Sequence, residues 1–229
     1  MLEIKNLSYT YPDGNKALSN VNITFPKAHI LAILGKSGSG KTTLLKCIGR
    51  FLLPQSGAIL LDDKNTLEIG QREFRRSIGI VFQQLYLFPH FTVLQNMTLA
   101  PIRVLGKSKE ESEVQAVDTL KRLGIEELAE KYPSQISGGQ AQRAAIARSL
   151  ILKPEYLLLD EPTSALDVDT TEEFGKWLLD LRAETSFIIV THDILFASKV
   201  VSSGTLLSKG GVQYSGDIEK ILSKAGYVK

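Results

Sequence analysis

The run "HILAILGKSGSGKT", residues 29–42, constrains this chain more than any other stretch. An apolar strand-sized segment, 29–34, leads into Gly35, and Gly35, Gly40, Lys41 and Thr42 then satisfy the pattern G-x-x-x-x-G-K-[ST]. Such a loop works only when a buried strand delivers it and a helix leaves it, because its amides and the helix dipole must converge on one anion. "KTTLLKCIGR" supplies the helical pattern. The loop Gly35, Lys36, Ser37, Gly38, Ser39, Gly40 is therefore expected to wrap a β-phosphate, with Lys41 reaching the β and γ oxygens and Thr42 holding Mg²⁺. This anchors the chain in the α/β class.

Around that anchor, residues 2–9 and 20–25 read as strands about the turn "PDGN", and further strands are expected at 57–61, 78–82, 156–160, 186–191, 204–208 and 211–214. Helices alternate with the later strands, which predicts a mostly parallel core sheet with an antiparallel β flank at the N-terminus. From 85 to 152 the strand pattern gives way to helices. Ser108 with Glu111 forms a capping box, Val114, Val117 and Leu120 are expected to line one face, and Gly124 is placed to end the helix. A further helix is expected from about Asp169, with Phe174, Trp177, Leu178 and Leu181 as its apolar face. The 229 residues thus read as one domain, an α/β core of 1–84 and 153–229 carrying an inserted helical subdomain of 85–152.

Four more segments carry chemistry. "YLLLDEP", 156–162, ends an apolar strand in Asp160, suited to Mg²⁺ through water, and Glu161, suited to orienting or deprotonating an attacking water. "FIIVTHD", 187–193, brings His192 to the end of another strand, and carboxyl ends of neighbouring strands converge on the ligand in a doubly wound sheet. Taken alone, a histidine there is more often structural. Gln83 follows a third strand and could reach the metal or water; an amide in a solvated loop is the plainer reading. "ISGGQAQRAAIAR", 136–148, opens a helix at Ser137 with Gln140 closing a capping box, so Ser137, Gly138 and Gly139 present first-turn amides to a second anion.

Two segments are apolar beyond what a connection needs. Leu85, Tyr86, Leu87, Phe88, Phe91, Val93 and Leu94 either pack the helical block or line a groove for a partner's helix. Tyr9 and Tyr11 precede "PDGN", where a ring could stack on a base or simply pack the sheet. Elsewhere the balance of 27 Lys and Arg against 25 Asp and Glu gives no footprint for nucleic acid. The single cysteine, Cys47, is expected to be a buried reduced thiol of a cytosolic protein. No signal-peptide layout follows Met1 and the longest apolar runs are strand-sized, so any membrane is expected to be met through a partner.

In their order, "GKSGSGKT", Gln83, "SGGQ", "LLLDEP", "SALD" and His192 resemble the nucleotide-binding subunit of an ATP-binding-cassette transporter, across essentially the whole chain. "ISGGQAQRAAIARSL" is the most specific element, and "VFQQLYLFPHFTVLQNMTLAPIRVLGKSKEE" with "DEPTSALD" is most similar to ATPases of polar amino acid importers. The resemblance implies a phosphate-loop NTPase of the ABC type that binds ATP and Mg²⁺ and dimerises head to tail, each ATP lying between the phosphate loop of one chain and the "SGGQ" helix of the other. By matching positions it makes Tyr11 the adenine-stacking aromatic, Gly35 to Thr42 with neighbouring Thr43 the phosphate loop, Gln83 the coupling glutamine, Glu161 the base, Asp167 the crossing loop and His192 the switch histidine. It also implies an integral membrane permease docked on the segment after Gln83, a solute-binding protein acting through that permease, and a place on the cytoplasmic face of the cell membrane. Ala141, Ala144, Ser202 and Ser203 depart from the common pattern, and no feedback inhibition by a C-terminal regulatory domain is expected. Two alternatives stay open at this point: a cassette with a non-uptake role in export, lipoprotein release or cell division, and a nucleotide-responsive adaptor that does not hydrolyse.

Overall fold

Two sheets divide the apolar runs according to how many faces each strand must bury. The computed structural model describes residues 1–224. The first sheet is antiparallel, in the order β2 (Lys16–Phe25), β1 (Leu2–Thr10), β4 (Ser56–Leu61), β5 (Lys64–Asn65), and its strands alternate buried with exposed positions. The second holds β10 (Gly211–Asp217), β9 (Ser203–Ser208), β3 (Ile30–Leu34), β8 (Ser186–Val190), β7 (Tyr156–Asp160) and β6 (Ile78–Val81), in that order. All its pairings are parallel except β10 with β9. Every residue of β3, β7 and β8 is buried, as continuous apolar runs at the centre of a parallel sheet require.

Successive residues of those strands feed opposite cores. Leu31, Ile33, Leu158, Ile188 and Val190 join Leu2, Ile4, Phe25, Ile59 and the helix α1 (Lys41–Ile48) between the two sheets. Ala32, Leu34, Leu157, Leu159, Phe187 and Ile189 face the helices. Cys47 lies in the first core and is buried, which pushes its thiol up to about 11. Tyr156 clips the sheets together: its hydroxyl donates to the Phe25 carbonyl (2.8 Å) and accepts from the Leu2 amide (3.1 Å).

The remaining helices are α2 (Gln71–Ser77), α3 (Val93–Ala100, continued by a π turn Pro101–Leu105), α4 (Lys109–Arg122), α5 (Gly138–Leu150), α6 (Val168–Leu181), α7 (Ile194–Val200) and α8 (Ile218–Lys224). The capping box of Ser108 with Glu111 forms, and Gly124, at φ +62°, follows the end of α4. The phase of α4 differs from the sequence expectation. Val114 and Val117 are exposed, at 73% and 45%, while Ser112, Ala116 and Leu120 face inward. Positions 112, 116 and 120 repeat every fourth residue, and the two small side chains let α4 approach its neighbours closely. α6 starts one residue before the expected Asp169, because Asp167 caps it by accepting from the Thr170 amide at 2.8 Å. β2 begins at Lys16, four residues before the expected start, with Asn20 in the left-handed region and register shifts along its pairing with β1.

Candidate functional site

The carboxyl ends of β3, β7 and β8 bring most of the sequence-predicted residues together. After Leu34 the chain turns at Gly35, where a Cβ would stand 2.4 Å from the Leu207 carbonyl and 2.6 Å from Ser39 Oγ. At Gly40 (φ +103°) it would stand 2.5 Å from the Ala17 carbonyl. Only glycine fits at either end of this loop. Lys41, the first residue of α1, folds back so that its Nζ donates to the carbonyls of Gly35 (2.7 Å) and Lys36 (3.2 Å). Burial lowers the Lys41 pKa, opposed by the nearby carboxylates of Glu161 and Asp160. Ser39 Oγ is buried without a partner among the described residues, an orphan inside a loop whose amides also need an acceptor.

Thr42 and Asp160 face each other, with Thr42 Oγ1 donating to Asp160 Oδ1 at 3.4 Å. Asp160 is 5% exposed, and burial raises its pKa above the ordinary carboxylate range; Glu161 adds to the rise, while Thr42 and Lys41 oppose it. An under-compensated buried carboxylate beside a hydroxyl is an all-oxygen donor set suited to a hard cation that keeps water and phosphate ligands. No group of three or more His, Cys, Asp or Glu that could hold a metal occurs among the described residues, so the site is no all-protein cage.

Glu161 sits at φ +50°, with its amide donating to the Val190 carbonyl at 2.8 Å. That strained turn sends its side chain to His192: the His192 amide donates to Glu161 Oε2 at 3.2 Å, and Nδ1 lies 2.8 Å from the same oxygen. With a carboxylate oxygen as acceptor, Nδ1 is the donor of this hydrogen bond. The pairing follows from strand register, because Asp160 lies opposite Val190 in the parallel β7–β8 ladder. Tyr11 lies beside α1, its hydroxyl 3.0 Å from Thr43 Oγ1 and its ring 5.0 Å from Tyr9 in an edge-to-face pair. Gln83 is exposed just beyond β6 and makes no side-chain hydrogen bond among the described residues.

Ser137, Gly138, Gly139 and Gln140 stand apart from this cluster. Ser137 Oγ accepts from the Gln140 amide (3.3 Å) while Gln140 Oε1 accepts from the Ser137 amide (2.9 Å), the reciprocal box that opens α5. The two glycines lie against Ala165, Leu166 and Thr170 of their own chain. They make no hydrogen bond to residues 35–43 among the described residues.

Two residues that organise the next segment escape sequence reading. Asn96 donates to the carbonyls of Phe88, Phe91 and Thr92 and accepts from the Phe88 amide, fixing the loop before α3. Arg148, near the far end of α5, donates to the carbonyls of Tyr86 (2.7 Å) and Leu85 (2.9 Å). Of the apolar run after Gln83, Val93 is buried and Leu85, Leu87 and Leu94 pack on the helical core, whereas Tyr86, Phe88 and Phe91 remain exposed. Tyr86 and Phe88, with Ile80, Leu99, Val104 and Arg148, line an apolar groove of about 630 Å³ beside the edge strand β6.

A phosphate loop on a parallel sheet, an acid pair at the end of β7 and a histidine at the end of β8 define a nucleotide-hydrolysing cassette. The family model described as ABC transporter matches residues 18–164, and the chain belongs to that family as an ATPase. The glutamine transport ATP-binding protein GlnQ of Escherichia coli (strain K12) is 42% identical, covering 97% of this chain and 93% of its own length. The L-cystine import ATP-binding protein TcyC of Bacillus subtilis (strain 168) is 38% identical over the same shares. Among solved structures, the dimeric ATP-binding cassette MJ0796 in a post-hydrolysis state bound to ADP and Pi superposes with a TM-score of 0.87 at 36% identity, covering 95% of this chain and 99% of that one.

Proposed function

We propose that this chain is the ATP-hydrolysing subunit of an importer of polar amino acids, working as a head-to-tail dimer on a membrane permease. One observation carries the composite-site part of the reading: the helix start Ser137–Gly139 lies against Ala165, Leu166 and Thr170 and makes no hydrogen bond to its own phosphate loop among the described residues, so its free first-turn amides are read as meeting the γ-phosphate of a second chain. The MJ0796 cassette, solved as a dimer in a post-hydrolysis state, supports self-association. The relatives named for glutamine and cystine transport support the solute class. No described helix is long and apolar enough to cross a membrane, in keeping with a peripheral subunit held on the cytoplasmic face by its permease. A solute-binding protein would act through that permease.

Each residue then has a task. The loop 35–40 binds the β-phosphate, Lys41 exchanges its two carbonyl partners for phosphate oxygens, Thr43 lies at the next phosphate and Tyr11 offers its ring to adenine. Thr42, Asp160 and Gln83 would hold Mg²⁺, which when bound would supply charge neutralisation to the phosphates. Glu161 orients and deprotonates water while His192 holds its carboxylate in place. Asp167, capping α6 beside Gly139, lies in the loop that would cross to the partner, and the block 85–152 carries the partner-facing amides and the permease groove as one subdomain.

Glu161→Gln keeps the acceptor for the His192 amide but cannot take a proton. Turnover is expected to fall about 10³-fold, with ATP still bound and the chain trapped as a dimer on gel filtration. A monomeric variant with normal turnover would overturn the composite site. Affinity purification from the native membrane, with mass spectrometry of what comes along, tests transport: a multi-spanning permease is expected, and purely soluble partners would refute it.

A further inference from the structure

The helix α2 carries Arg72, Arg75 and Arg76 between three adjoining clefts. Arg75 and Arg103 line the apolar groove beside β6; Arg72, Arg76, Lys107 and Lys153 line a neighbouring cleft of about 1070 Å³ that shares Leu152 with it. None of these six cations has a carboxylate partner among the described residues; Lys107 alone is engaged, by the Gln115 amide oxygen at 2.6 Å. The carboxylates lining the clefts are Glu73 and Glu155, and Glu155 is taken by Lys27 at 2.6 Å. With Arg148, which also lines the groove, the two clefts carry seven cations against two carboxylates, a net +5, and because the chain's net charge is +2, everything outside them sums to −3. The chain's positive charge is concentrated on this one face.

The third cleft adds apolar side chains to the same face. It is lined by Phe51, Leu53 and Leu67 together with Gln71 and Arg75 of α2, and those three apolar residues are 63%, 65% and 56% exposed. Unpaired arginines bordered by exposed aromatic and aliphatic groups form the pattern of an interfacial membrane contact. A single acidic segment seated in the groove would meet Arg75 and Arg103 and leave the cations of the neighbouring cleft unmatched.

We propose that the α2 face binds the anionic headgroups of the lipid bilayer beside the permease, independently of the permease itself. The orientation rests on the transport reading, since the patch shares Arg75 and Arg103 with the groove proposed for the permease, while Arg72, Arg76, Lys107 and Lys153 lie in the neighbouring cleft and stay open to lipid; the test does not need that partner. The occupant is a layer of phosphate-bearing headgroups, which a spread of long flexible side chains can meet without a fixed recess. Charge attraction brings the face to the surface, and Phe51 and Leu53 enter the headgroup boundary.

The experiment is cosedimentation of the full chain with protein-free vesicles of phosphatidylcholine, with and without phosphatidylglycerol. Binding is expected only with the anionic lipid, and is lost in about 0.5 M salt, where screening shortens the reach of charge to a few ångströms. Each cation near such a surface contributes about fivefold in affinity, so Arg72→Glu/Arg75→Glu/Arg76→Glu is expected to bind at least about 100-fold more weakly. The glutamine triple variant at the same positions gives a smaller loss in the same direction if the reversal disturbs α2. Lys121→Glu/Lys131→Glu/Lys209→Glu, an equal charge change on exposed residues outside these clefts, is expected to retain binding. Equal loss in that control, or no binding of the unaltered chain, would overturn the inference. So would a patch that ignores phosphatidylglycerol yet captures a glutamate-rich peptide, which would assign the face to protein. Failure of the transport reading would appear separately, as the absence of a permease in the purification.

Discussion

Replacing Tyr156 with phenylalanine isolates one contact that joins the two sheets. The side chain is fully buried, and its hydroxyl serves the Leu2 amide and the Phe25 carbonyl, neighbours across the β1–β2 pairing. Phenylalanine fills the same space but leaves a buried donor and a buried acceptor without that partner. Each orphaned group costs about 1–3 kcal/mol, so a loss of about 3 kcal/mol is expected. In a chain of this size that corresponds to a fall in Tm of about 6–12 °C. Urea and thermal unfolding followed by circular dichroism measure it. ATP affinity is expected to stay within about twofold, since Asp160 lies at the opposite end of β7, about 13 Å away at strand rise. A loss below about 1 kcal/mol would show that Leu2 and Phe25 find other partners, and that the hydroxyl does not clip the sheets together.

Asp160→Asn removes a carboxylate whose burial is poorly compensated, so the nucleotide-free chain is expected to melt at a higher temperature while ATP turnover falls about 10²-fold or more; a lower Tm would refute the electrostatic account. Alkali acts on two buried acids: burial moves Cys47 from 9.0 to about 11 and Tyr156 from 10.0 to about 12. Both folded values lie above the unfolded ones, so their contribution is complete below about pH 9 and is lost as pH rises to about 12. Urea midpoints are expected to fall over that window, and Cys47→Ala to remove the earlier part of the fall.

The central strands were legible because β3, β7 and β8 are buried on both faces and read as unbroken apolar runs. The phosphate loop was legible because its spacing is local. α4 was misread where Ser112 and Ala116, rather than Val114 and Val117, form the inner stripe: small residues carry weak hydrophobic signal yet suit close helix contact. Glu161 and His192 could each be singled out, but their shared hydrogen bonds depend on the register of β7 against β8. Arg148 and Asn96 left no signal at all, because both act on backbone carbonyls that any residue could supply.

The grip of Lys41 on the carbonyls of Gly35 and Lys36 has a consequence for nucleotide binding. A loop closed around a cation of its own chain holds its curvature by internal contacts, so an arriving phosphate trades places with two carbonyls instead of ordering a floppy segment. Capture of nucleotide is then an exchange of partners for one ammonium.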